Sequence, residues 1–97
     1  MPIAQPDLAR YREQLEAVCK QLASAAKQTG VIGSNLCQWA WATTGDRSVE
    51  VYWDTTGICV AYWVRDADSE SDETETHQSL HSSYEGAVQA ARDWLRG

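Results

Sequence analysis

Residues 36–65 read LCQWAWATTGDRSVEVYWDTTGICVAYWVR, and this stretch decides the fold. Its side chains alternate with period two, the signature of a half-buried strand. Over 36–43, Cys37, Trp39 and Trp41 share one face and Gln38, Ala40 and Ala42 the other. Thr44-Gly45-Asp46-Arg47 then turns the chain. Over 48–54, Val49, Val51 and Trp53 oppose Glu50, Tyr52 and Asp54. Thr55-Thr56-Gly57 turns it again, and over 58–65, Ile58, Val60, Tyr62 and Val64 oppose Cys59, Ala61 and Trp63. Short glycine-containing turns between alternating runs predict an antiparallel meander.

Upstream the period is helical. Leu8, Tyr11, Leu15, Val18, Leu22 and Ala25 are spaced by threes and fours, which keeps one apolar stripe on one face. Pro6 suits a first helical position, Asp7 suits the positive end of the dipole, and Gly30 suits a stop, so the spacing predicts a helix over 6–29. Residues 31–35 then read as a loop. Downstream, residues 76–81 are available as a fourth, polar edge strand. Ser82-Ser83-Tyr84-Glu85 fits a capping box, with Ser82 as the cap, and opens a helix over 83–96. Its stripe is Tyr84, Ala87, Val88, Ala91, Trp94 and Leu95. The expected fold is one α+β domain over 1–97, α-β-β-β(-β)-α, a three- to four-stranded antiparallel meander packed against two helices.

This layout resembles that of the double-stranded RNA-binding domain, and SYEGAVQAARDWL at 83–95 is similar to the Ala-rich second helix of that family. The resemblance implies a shared scaffold. The family grips phosphates with lysines at the start of that helix. This chain has Ser82, Ser83, Tyr84 and Glu85 there, so the RNA-binding activity does not carry over.

The charge is concentrated. The 97 residues hold 14 Asp and Glu against 8 Lys and Arg, for a net charge of −6. Residues 66–75, DADSESDETE, contain six of the acids and no base, and the remainder is neutral. The acidic balance argues against direct binding to nucleic acid or to an anionic membrane. The apolar runs are too short to span a bilayer as helices, and the N-terminus lacks the pattern of a signal peptide. Cys19, Cys37 and Cys59 lack CxxC spacing and read as free, mostly buried thiols of a reducing cytosol, with a single disulfide left open. The expected localisation is therefore cytoplasmic.

Residues 66–81 suit more than one chemistry. Asp66, Asp68, Glu70 and Asp72 alternate with small residues. Extended, they would form a row with a pitch of about 6.6 Å, close to the roughly 6.8 Å rise of two base steps along one DNA strand. Such a row suits a nucleic-acid mimic, and a mobile solubilising loop is its plain alternative. Asp66, Asp68 and Glu70 start like a calcium loop, but Ser71 stands where glycine is required and His77 where the bidentate acid belongs. Glu75, His77 and His81 could share a strand face as a zinc set, although two histidines on a polar edge are the commoner outcome. No nucleophile motif or phosphate-binding loop is present, so no catalytic residue, cofactor or designed metal site is expected.

The tryptophans are the second clue. Most are expected in the core, but helices on one side would leave the other sheet face partly open. The expected partner-binding residues are Asp66, Asp68, Glu70, Asp72, Glu73, Glu75, Trp63 and Tyr62. A small acidic α+β domain with this row resembles phage-encoded inhibitors, anti-CRISPR proteins among them. That resemblance implies a non-enzymatic inhibitor that presents a nucleic-acid-like surface to a basic protein such as a CRISPR-Cas effector. The alternative is a structural or regulatory homodimer joined by the first helix or by a sheet edge, with a merely solubilising acidic loop.

Overall fold

The structure is a computed structural model and describes residues 7–35, 37–65 and 73–97, with the backbone alone for Glu73. Helix α1 spans Leu8–Leu22. Asp7 is its cap: its backbone is extended, and Oδ1 accepts from Ala9 N at 2.9 Å and Arg10 N at 3.4 Å. The stripe faces inward as its spacing requires. Tyr11, Leu15, Val18 and Leu22 are buried, whereas Leu8 at the helix start is 42% exposed. Each buried Leu or Val contributes about 1.5–3 kcal/mol relative to exposure.

The helix ends seven residues earlier than the spacing predicts, and residues 28–34 form a strand in place of a helix end and loop. β1 spans Gln28–Ser34, β2 Cys37–Thr43, β3 Arg47–Asp54, β4 Gly57–Arg65, β5 Glu73–His81, and helix α2 Tyr84–Arg96. Thr29, Val31 and Ile32 are β-branched and favour the pleated surface that β2 offers. Val31 lies opposite Ala40 and Gly30 opposite Trp41. Gly30 is thus no helix stop. A Cβ there would stand 3.1 Å from Trp41 Nε1, so the glycine makes room for the indole.

Among the described residues the sheet is an antiparallel meander in the order β1-β2-β3-β4-β5, with a helix before it and a helix after it. β5 also starts earlier than its sequence suggests. Glu73 pairs with Arg65 and Glu75 with Trp63, so the last residues of the acidic stretch belong to the strand. α2 is capped by Ser83, not Ser82: Ser83 Oγ accepts from Gly86 N at 3.2 Å. No described helix is long and apolar enough to cross a membrane.

Both helices lie on one side of the sheet, α1 over β1 and β2, and α2 over β3, β4 and β5. Between the layers sit Ala40, Ala42, Val49, Val51, Ile58, Val60 and Tyr62 with the stripes of α1 and α2. Two ties fix the layers. Tyr11 donates its hydroxyl to Gln38 O at 2.7 Å and accepts from Trp53 N at 2.9 Å. Trp94 Nε1 lies 3.1 Å from Ser48 O and 3.3 Å from Trp63 O, and the Arg47 guanidinium stacks 4.5 Å from the Trp94 ring.

Candidate functional site

Alternation along each strand assigns every second side chain to the face away from the helices. On β2 this face carries Cys37, Trp39 and Trp41, while Gln38, Ala40 and Ala42 point into the core. The expectation that most tryptophans fill the core is therefore corrected. Small alanines line the interior of β2, and Trp39 and Trp41 are left half-buried outside. The same parity exposes Cys37, which the sequence pattern placed among buried thiols. Cys19 and Cys59 are buried as expected, and all three are free.

The register brings the aromatics together. Gly30, Trp41, Glu50, Ala61 and Gln78 form one cross-strand row. Ile32 and Trp39 form part of the next row, which continues through Cys59 and Leu80. Ser48, Trp63 and Glu75 belong to a third. Between them runs a groove of about 530 Å³, walled by Trp39, Trp41 and Trp63 and edged by Ile32, Glu50 and Arg65. A second hollow of about 260 Å³ lies on the far side of Trp39 and Glu50, against Cys37 and Tyr52. Ile32 and Leu80 are 51% and 54% exposed, so apolar surface reaches both margins of this face.

Polar contacts stiffen its β4–β5 side. Cys59 Sγ lies 3.2 Å from Tyr52 Oη and 3.7 Å from Gln78 Oε1, and Gln78 Nε2 donates to Glu75 Oε1 at 2.8 Å. The Cys59 contact, followed by burial and the Glu75 and Asp54 carboxylates, pushes the Tyr52 hydroxyl well above its ordinary pKa. Trp63 Nε1 is buried without a hydrogen-bond partner.

The expected partner-binding residues divide. Trp63 is half-buried on this open face, and Glu75 is exposed beside it. Tyr62 points the other way and is only 5% exposed beneath α2, so it is a core residue. Its ring packs against His77 and edge-on to Trp94, and its hydroxyl lies 2.6 Å from Ser79 Oγ. Glu73 begins β5 opposite Arg65. Asp66, Asp68, Glu70 and Asp72 lie outside the described residues.

The zinc set does not assemble. A bulge between Tyr62 and Trp63 puts one extra residue into β5, so Glu75 falls opposite Trp63 while His77 falls opposite Tyr62. Glu75 is thereby on the open face and both histidines are on the helix face. His77 stacks on Tyr62 with ring centroids 4.4 Å apart, and His81 Nε2 lies 2.7 Å from Ser79 Oγ. Among the described residues no group of three or more His, Cys, Asp or Glu is placed to hold a metal ion.

Sequence reasoning missed the groove because Trp-Ala alternation on β2 does not state which side is inside. The signal was Gly30, which permits an indole to lie across the neighbouring strand. No family model matches the chain, and no curated protein or solved structure matches it.

Proposed function

We propose that the protein is a non-enzymatic binding module. Its uncovered sheet face docks a protein with a basic surface, and the adjoining acidic stretch occupies that partner's nucleic-acid groove and inhibits it. One observation carries the reading: Trp39, Trp41 and Trp63 line a groove on the face the helices leave uncovered, and Arg65 at its edge leads directly into residues 66–75. Tryptophans anchor interface hot spots because they bury large area with few rotatable bonds. The six acids supply the electrostatic half. The rest of the chain is neutral, so its long-range attraction for a basic groove is focused at the β4–β5 end. A nucleic-acid-binding protein, a CRISPR-Cas effector being the example the sequence resemblance suggests, has the required Lys- and Arg-lined groove.

The test is affinity capture from a bacterial lysate with the wild type and two variants. One reverses Asp66, Asp68, Glu70, Asp72, Glu73 and Glu75 to Lys, and the other carries Trp41→Ala. The reading expects a nucleic-acid-binding protein captured by the wild type and lost from both variants, with far-UV circular dichroism unchanged. Capture that survives the charge reversal removes the mimic. Capture that survives Trp41→Ala removes the groove.

A further inference from the structure

The two edges of the sheet are built differently. β5 is defended: it carries Glu73, Glu75, His77 and His81, and a bulge interrupts its ladder. Charges and bulges are the usual means by which an edge strand avoids pairing with another chain. β1, QTGVIGS, has no charged residue, no proline and no register shift against β2 over its seven residues. It leaves Ile32 half exposed at the margin of the aromatic face.

Its free backbone groups can be assigned. Trp53 N does not bond to β4 but turns toward Gln38 of β2, where Tyr11 Oη bridges the two. By alternation Val49 and Val51 also direct their amides to β2, and Ala40 and Ala42 face β3 in return. Trp39 and Trp41 therefore face β1, consistent with Trp41 O accepting from Thr29 Oγ1 at 2.7 Å. Gly30 and Ile32, opposite them, direct their amides inward. Thr29 and Val31, and Gly33 beyond them, point N–H and C=O out of the sheet.

We propose that β1 is a self-association edge and that its occupant is the β1 of a second copy, antiparallel about a two-fold axis through Val31. This register is self-complementary. Val31 exchanges both bonds with Val31 of the copy, and Thr29 faces Gly33. Gly33, with φ +97°, bends the strand, so the ladder is firmest over Thr29–Ile32. The register also sets Ile32 of each copy opposite the other's Gly30 on the open face. A large side chain thus meets a position with none, beside the Trp41 indole that already crosses Gly30. Ile32 lines the groove, so the second copy would extend that wall.

Charge selects this edge over β5. The acidic stretch leaves the chain between β4 and β5, at the opposite margin of the sheet. Pairing through β1 would hold the two β5 strands, each entered from its acidic stretch in the sequence, nine strand spacings apart, roughly 40 Å, several times the Debye length of about 8 Å at physiological ionic strength. Pairing through β5 would put the strand that each acidic stretch enters, with Glu73 and Glu75, at the seam itself. The dimer would present two aromatic faces on one continuous sheet and bind a repetitive or dimeric partner with avidity.

Sedimentation equilibrium combined with amide hydrogen exchange tests the proposal on the full chain. The wild type is expected at twice the 10.8 kDa chain mass in the micromolar range, with the Thr29 and Val31 amides protected. Val31→Pro removes an outward donor that β2 does not use, and Ile32→Lys places charge beside the axis. Both are expected to sediment as monomers with unchanged far-UV circular dichroism. A wild type that stays monomeric up to millimolar concentration overturns the proposal. So does a dimer in which the Thr29 and Val31 amides exchange freely, or one that persists in both variants. The proposal is independent of partner capture, since self-association is read without any partner.

Discussion

Tyr11 reaches from α1 into the sheet and accepts the Trp53 amide hydrogen on its hydroxyl at 2.9 Å, while donating to Gln38 O at 2.7 Å. The β2–β3 ladder stops at Ala40 and Val51, and Gln38 and Trp53 are the next residues in line on the same face. The hydroxyl thus completes a ladder that the strands themselves leave open. It ties the first helix to the two strands whose outer side carries Trp39, Trp41 and Glu50.

Tyr11→Phe should therefore be costly despite preserving the ring. It strands a part-buried amide and a buried carbonyl, for a loss of about 2 kcal/mol. In a domain of this size that corresponds to a fall in Tm of roughly 10 °C. Thermal and urea unfolding measure it. A change below about 0.5 kcal/mol would mean that the bridge is not formed.

Tyr84 provides the opposite case. Its hydroxyl oxygen is buried without a hydrogen-bond partner, and burial, helped by Tyr11, raises its pKa from 10.0 to about 12. The folded state therefore holds this proton more tightly than the unfolded chain does. Stability is undisturbed below pH 10 and falls as pH rises from 10 toward 12. Tyr84→Phe should be neutral or stabilising by up to about 1 kcal/mol at neutral pH, and should flatten the alkaline decline. Urea midpoints measured across that range report both effects. Greater alkaline sensitivity in the variant would contradict the assignment.

Gly30→Ala tests the origin of the groove. The added Cβ would meet three atoms of the Trp41 indole at 3.1–3.2 Å. The ring must shift by a few tenths of an ångström, at a cost below about 1 kcal/mol. The near-UV circular dichroism of the tryptophans should change more than the unfolding midpoint does. An unchanged near-UV spectrum would place the indole elsewhere.

How much of this was legible in the sequence depended on the element. β2, β3, β4 and α2 were readable to within one or two residues, because glycine turns and an abrupt change of period mark their ends. β1 was not. Ala25 continues the helical stripe and Gly30 resembles a stop, so nothing local marks 28–34 as a strand until β2 supplies its partner. The site was half legible. Trp63 and Glu75, expected among the partner-binding residues, share the open face, where Trp63 is half-buried and Glu75 exposed, whereas Tyr62, one residue from Trp63, has the opposite parity and is buried. The bulge that carries Glu75 away from His77 and His81 is a property of strand pairing, and no residue pattern announces it.

The inverted reading of β2 yields a paired prediction. Ala40 is fully buried beneath the helices, so Ala40→Leu should overpack the core and destabilise by about 1–3 kcal/mol. Trp39→Ala, on the half-exposed face, should cost less stability while weakening partner capture. Denaturant midpoints for both, with capture efficiency for the second, check the pair. The reverse order of stability loss would return the tryptophans to the core.

The most direct test of the central claim is the salt dependence of Kd for the captured partner, measured with and without that partner's own nucleic acid. An acidic row that takes the place of phosphates predicts Kd weakening by roughly 100-fold or more between dilute and several-hundred-millimolar salt, with the nucleic acid competing for the same site. A Kd that is indifferent to salt, together with a ternary complex that accommodates the nucleic acid, would contradict the account.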